Sequence, residues 1–298
     1  AAIDALGRAA GYVDVELDLA TGARARRGAA ARAALLAGAE PYYVPSDPAR
    51  NFAVDWDSVP EDVWQRTQLI FVCSPGNPTG AVIGKEILVK LITLSDQYGF
   101  VIASDECYSE IYFDEATPPV GLLQVCAEIG RHDYQNCVVF HSLSKRSNLP
   151  GLRSGFVAGD AALLKPYLLY RTYHGSAMPV QHQWASIAAW NDEAHVLANR
   201  EQYRQKFARF YAIVNPHLAL TMPDAGFYFW VKTPADYNDE SFARLLYQHA
   251  HITVLPGRYL GRTVDGLNPA ENYVRMALVA PLADCVHAAE QIVAILQQ

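Results

Sequence analysis

Three short apolar runs constrain the fold more than any other feature: Leu69 to Cys73 (LIFVC), Phe100 to Ser104 (FVIAS) and Asn136 to His141 (NCVVFH). Runs that do not alternate with polar residues read as strands buried on both faces, the habit of parallel sheets covered by helices. Between the first two lies Lys85 to Tyr98, where Ile87, Leu88, Leu91, Ile92 and Leu94 recur at helical spacing. A further strand is expected at Gly155 to Ala158. This alternation predicts an α/β fold with a mostly parallel sheet and helices on both faces, joined by crossover connections.

Beyond residue 190 the pattern changes. A long helix is expected over Asp192 to Asn215, then strands at Leu218 to Thr221, Gly226 to Lys232, Ile252 to Leu255 and Tyr273 to Ala280. Helices are expected near Ser241 to Ala250 and Ala283 to Gln297. The expected organisation is an atypical segment at 1–34, a large domain at 35–190 and a smaller C-terminal α+β domain at 191–298. Ala fills 15 of the first 40 positions, with Arg8, Arg24, Arg26, Arg27 and Arg32 among them and no clear period.

Composition excludes several classes. The 24 basic and 31 acidic residues leave a net charge of −7, which argues against a nucleic-acid partner. No apolar run approaches the roughly 18 residues of a membrane span. The five cysteines show no C-x-x-C pair, and no histidine has metal-ligand spacing, so neither a disulfide framework nor a metal site is expected. These features, with no secretory leader read at the start, lead us to expect a cytoplasmic protein.

In open α/β sheets, ligands sit beyond the carboxyl ends of the strands. The polar residues placed there are Asn77 after the first run, Asp105 and Tyr108 after the second, and Ser142, Ser144 and Lys145 after the third, with Arg153 following. A lysine near a cationic or desolvated surrounding can attack a carbonyl. Hydroxyls with an arginine suit a phosphate. A buried aspartate needs a positive partner, which a protonated pyridine nitrogen would supply. Together these match a site for pyridoxal 5′-phosphate (PLP).

The segments Ser74-Pro-Gly-Asn-Pro-Thr-Gly80, Asp105-Glu-Cys-Tyr108 and Ser142-Leu-Ser-Lys145 with Leu149-Pro-Gly-Leu-Arg153 resemble the signatures of class I/II aminotransferases of fold type I. The resemblance implies that Lys145 bonds the cofactor aldehyde and moves the substrate α-proton. It implies that Asp105 keeps the pyridine nitrogen protonated and that Tyr108 and Asn77 bond the ring oxygen. Ser142, Ser144 and Arg153 would hold the phosphate. In Asn272-Tyr-Val-Arg275, Arg275 would grip the substrate α-carboxylate beside Asn77. Asp224 to Trp230 resembles a small-domain strand of the family, with Phe227 to Trp230 read as core.

Within the family, Leu255 to Gly261, His174 to Pro179 and residues 35–65 look most like members acting on N-succinyl-LL-2,6-diaminopimelate with 2-oxoglutarate and glutamate. Arg258 or Arg262 is the candidate for a distal carboxylate, and a homodimer is implied. The rivals are an aspartate, aromatic or alanine aminotransferase, and a non-catalytic PLP-binding regulatory domain. The family also carries a glycine-containing phosphate loop and a ring-stacking aromatic ahead of the first run. At about 30 residues per βαβ unit, the stretch before Leu69 is too short for them, so part of the first half of the large domain is expected to be absent.

Overall fold

The computed structural model describes residues 29–175, 177–264 and 266–297. The expectations for 1–28 therefore lie outside the described residues. A helix, α1 (Ala29–Leu36), leads to a small hairpin of β1 (Ser46–Asp47) and β2 (Ala53–Val54) and to α2 (Glu61–Arg66). The main sheet follows: β3 (Leu69–Cys73), α3 (Lys85–Tyr98), β4 (Val101–Asp105), α4 (Leu122–Glu128), β5 (Cys137–Ser142), α5 (Leu143–Arg146) and β6 (Gly155–Gly159). Strand order is β3-β4-β5-β6. The first three strands are parallel, whereas β6 runs antiparallel to β5 with Ser142 opposite Gly155.

Alternate residues of β4 face opposite layers. Ile102 packs with Trp64, Leu88, Leu91 and Leu122 from the α2, α3 and α4 side. Val101 and Ala103 join Val138 and Phe140 in a second cluster, against which Leu163 and Leu164 pack. That is why these strands read as continuous apolar runs. Helix α3 stops where the periodicity predicts because Gly99 takes a left-handed turn at φ 78° and donates its N–H to Ser95 O.

Helices α6 (Ala161–His174) and α7 (Val180–Asn191) lead to α8 (Ala194–Val214). A second sheet, order β7-β9-β8, comprises β7 (Tyr228–Lys232), β8 (Leu255–Pro256) and β9 (Tyr273–Ala277), all antiparallel, with α9 (Asp239–Ala250) and α10 (Leu282–Leu296). Its core joins Phe207 and Phe210 of α8 to Phe229, Phe242, Val274 and Ala289. Each fully buried large apolar side chain of this kind contributes about 1.5–3 kcal/mol.

Two expected strands are corrected. Leu218 to Thr221 forms no ladder: its leucines are buried, but Leu218 N–H donates to Val214 O and Leu220 N–H to Asn215 Oδ1, so the backbone is satisfied locally. The strand expected from Ile252 contracts to Leu255–Pro256, where Pro256 has no N–H to extend a ladder.

The loop after Tyr108 is fastened to α8 by charge. Arg200, almost wholly buried, donates to Glu110 O (3.0 Å), Glu110 Oε2 (2.8 Å) and both oxygens of Glu115 (2.8 and 2.6 Å), while its guanidinium lies over Tyr112. Arg200 first and Arg204 second hold the Glu115 carboxyl down at about 2 from its usual 4.5. A depressed carboxylate contributes stability that is present above its unfolded value and is lost as pH falls through the folded one. Wild-type stability should therefore fall between pH 5 and pH 2, and Glu115→Gln should show a shallower fall in denaturant titrations across that range.

Candidate active site

Of the polar residues expected at one rim, the structure links Asn77 with Tyr108 and Arg275, and Ser142 with Ser144, at and just beyond the carboxyl ends of β3, β4 and β5. Asp105 closes β4 beside Cys73 of β3, and Ser142 closes β5. Asp105 Oδ1 accepts the Cys107 N–H at 3.1 Å. Burial pushes the Asp105 carboxyl above its usual 3.8, opposed by hydrogen bonds from the Cys107 thiol and amide. Burial also raises both flanking thiols, Cys73 and Cys107, well above the ordinary range, with Asp105 adding to the effect. They are protonated and inert at neutral pH.

Next to it, Asn77 links two elements far apart in sequence. Its Nδ2 donates to Tyr108 OH at 3.3 Å, and its Oδ1 accepts from Arg275 Nη1 at 2.7 Å. Arg275 stands on β9 opposite Trp230 of β7, with its guanidinium over the Tyr228 ring. The Asn77 loop is clamped by the segment before β7. Gly80 O accepts the Ala225 N–H, Tyr228 OH donates to Gly76 O, and Asp224 accepts from both Val82 N–H and Asn51 Nδ2. Gly80, at φ 73°, has no room for a side chain, since a Cβ would stand 2.5 Å from Pro223.

On the other side, Ser142 caps α5, and its Oγ accepts the Ser144 N–H at 3.0 Å and lies 2.8 Å from Ser144 Oγ. Lys145 follows on α5, with its ammonium 4.8 Å from the Phe227 ring centroid. Arg153 takes a left-handed conformation at φ 56°, is exposed, and donates to Pro150 O at 2.6 Å. Arg258 makes its contacts at the start of α9. It is held by Asp239, through its backbone N–H and Nε at 2.8 Å each, and by Glu240. Burial alone would raise fully buried Asp239, but Arg258 outweighs it and the carboxyl is lowered. The guanidinium that the sequence offered for a substrate carboxylate is thus occupied at the start of α9.

Three participants escape sequence reading. Phe227 and Tyr228 belong to the core, as expected, yet they also face Lys145 and Arg275. Glu106, buried beside Asp105, accepts from Ser104 Oγ and Leu122 N–H, and its Oε2 lies 3.2 Å from His141 Nε2. A charged residue next to a motif aspartate gives no sequence signal of facing inward.

Residues 28–292 match the family model "Aminotransferase class I and II". This chain belongs to that family. It is 35% identical over 261 residues to the LL-diaminopimelate aminotransferase of Aquifex aeolicus, covering 87% of this chain and 64% of that protein, so it spans less than two thirds of the relative's length. Two solved aminotransferases share its fold. One, from Neisseria meningitidis, is 54% identical with TM-score 0.83, covering 90% of this chain and 67% of that one. The other, AspB from Helicobacter pylori, is 35% identical with TM-score 0.81, covering 92% and 69%. The architecture is that of fold type I, a mixed sheet with helices on both sides.

Class I and II aminotransferases use pyridoxal phosphate, and the residues present fit that group. Asp105 is partly buried at the end of β4, and desolvation holds its carboxyl above the usual 3.8, so a positive partner there would relieve the cost of its charge. A pyridinium N–H is such a partner.

Proposed function

We propose that this protein is a PLP-dependent aminotransferase, moving an amino group between an amino acid and a 2-oxo acid. The observation that carries the reading is the Asp105 carboxylate, partly buried at a strand end near Asn77, Tyr108, Ser142, Lys145 and Arg275. When bound, PLP supplies an electrophilic aldehyde and a ring that accepts the electrons of a breaking bond at the substrate α-carbon. Asp105 holds a proton at the ring nitrogen. Tyr108 and Asn77 bond the ring oxygen, while Ser142, Ser144 and Arg153 hold the phosphate. Lys145 would hold the group by its aldehyde through its amine and, once released from it, would move the substrate α-proton. Arg275, kept in place by Asn77, binds the α-carboxylate through a bidentate fork, and Phe227 shields the amine from water.

The preferred donor is a diaminopimelate-type amino acid, N-succinyl-LL-2,6-diaminopimelate, with 2-oxoglutarate as acceptor. The name of the Aquifex relative supports the unsuccinylated LL-diaminopimelate as a second reading. A homodimer is part of this proposal. Its support is the apolar surface of α6 and α7, where Leu168, Tyr173 and Trp184 are exposed. Among the described residues, no helix is long and apolar enough to cross a membrane; a cytoplasmic site of action is proposed with the biosynthetic role.

Glutamate production from 2-oxoglutarate, with both diaminopimelate forms, aspartate, tyrosine and alanine as donors, tests the reading; no turnover with any of them would overturn it. Asp105→Asn gives an independent check. Because folding raises this carboxyl, its stability contribution is present below the usual 3.8 and lost as pH rises through the folded value. Asparagine removes that cost, so the PLP-free variant should melt higher than wild type at pH 7. Its PLP affinity should fall by roughly tenfold or more, the worth of a hydrogen bond to a charged group.

A further inference from the structure

A cavity of about 220 Å³ lies between the β1–β2 hairpin and the loop that follows β8, walled by Tyr43, Phe52, Pro78, Thr79, Trp230 and Leu260, with Arg262 also lining it and donating to Gly261 O. It adjoins the site already described. Pro78 and Thr79 follow Asn77, which accepts from Arg275 at 2.7 Å, and Trp230 is the ladder partner of Arg275. One carboxylate joins its walls: Asp224 Oδ2 accepts from Asn51 Nδ2 of the hairpin and from Val82 N–H of the Asn77 loop, each at 3.1 Å.

Phe52 stands at the hairpin tip under backbone strain. Asn51 and Phe52 both take left-handed angles, φ 52° and 58°, which asparagine adopts readily and a residue with a bulky ring rarely does. Such strain persists only where the surroundings hold it. Here the Phe52 N–H donates to Asp47 O at 2.8 Å, and the ring meets Trp230 and Tyr273 edge-on at centroid distances of 6.4 and 5.5 Å. Trp230 and Tyr273 stack on each other, 8° from parallel. The three rings form one apolar wall, and Tyr273 stands two residues before Arg275 on β9.

We propose that this cavity receives the carbon chain of the amino acid held by Arg275, and that Phe52 determines a preference for long apolar chains over short ones. Resting on the aminotransferase reading, this favours donors with several consecutive methylenes over alanine and aspartate. Each methylene that leaves water for an apolar wall tightens binding by roughly fourfold. Alanine and aspartate bring at most one.

Titration calorimetry on the PLP-saturated protein tests it with propanoate, pentanoate and heptanoate, which share the carboxylate and differ in chain length alone. Wild type should bind roughly tenfold or more tighter at each step of two methylenes. Phe52→Ala and Phe52→Gly should both leave propanoate unchanged and weaken heptanoate by roughly tenfold or more. Glycine also frees the backbone angle, so an equal loss in the two variants assigns the effect to the ring. Phe52→Tyr, which keeps the ring, should keep the series. No gain with chain length in wild type, a series that survives intact in both truncations, an equal loss for all three probes, or a loss in Phe52→Ala that Phe52→Gly restores would each overturn the proposal. Failure of the aminotransferase reading looks different: no donor turns over, while the chain-length series and its flattening in the truncations remain.

Discussion

Lys145→Ala should lower transamination by at least about 10³-fold and abolish the visible absorbance that PLP gains on the wild-type protein. The expectation follows from the double duty of one amine. Positioned proton transfer is worth typically ~10²–10⁴-fold, and the covalent bond to the aldehyde is lost as well. No neighbour can take over, because the rim's other nucleophiles, Cys73 and Cys107, are held protonated by burial and by Asp105. Folding should be untouched, since Lys145 is partly exposed and anchors no core cluster. An unchanged melting temperature with lost absorbance therefore separates a chemical role from a structural one. Retained turnover in Lys145→Ala would refute the assignment.

The rim was legible because strand ends are legible. Asp105 and Ser142 follow unbroken apolar runs, and a parallel sheet buried on both faces fixes where such runs stop. The helices α6 and α7 were not separately legible. Leu168, Leu169, Val180, Trp184 and Ile187 are exposed, so the apolar residues there do not mark a core-facing stripe, and Pro166, a residue that argues against a helix, lies inside the first one. Arg258 and Arg262 are equivalent in sequence terms. Only the fold brings Asp239 and Glu240, the first residues of α9, to the former, whereas the latter donates to Gly261 O of its own loop. Phe227 and Tyr228 show a different limit: residues on successive positions of a buried segment can serve core and site together, and hydropathy reports only the first.

That overlap leads to the largest stability effect expected in the molecule. Phe207→Ala should cost about 3–5 kcal/mol of unfolding free energy, the range for truncating a buried aromatic. Phe207 on α8 is fully buried, with its ring centroid 4.7 Å from Phe113 and 4.6 Å from Phe229. Phe113 belongs to the loop that runs from Tyr108 to the Arg200 anchor, and Phe229 sits between Tyr228 and Trp230 on β7. The ring thus joins the Tyr108 side of the site to the Arg275 side through these two apolar contacts. Against a total stability of roughly 5–15 kcal/mol, such a loss should lower the urea midpoint sharply. Leu197→Ala, on the same helix but exposed, should shift stability by less than about 0.5 kcal/mol. Equal midpoints for the two variants would mean that α8 does not depend on this cluster. Under conditions where it remains folded, the Phe207→Ala protein should also bind PLP more weakly than Leu197→Ala, because the segment that carries Tyr108 and the strand beside Arg275 lose their common support.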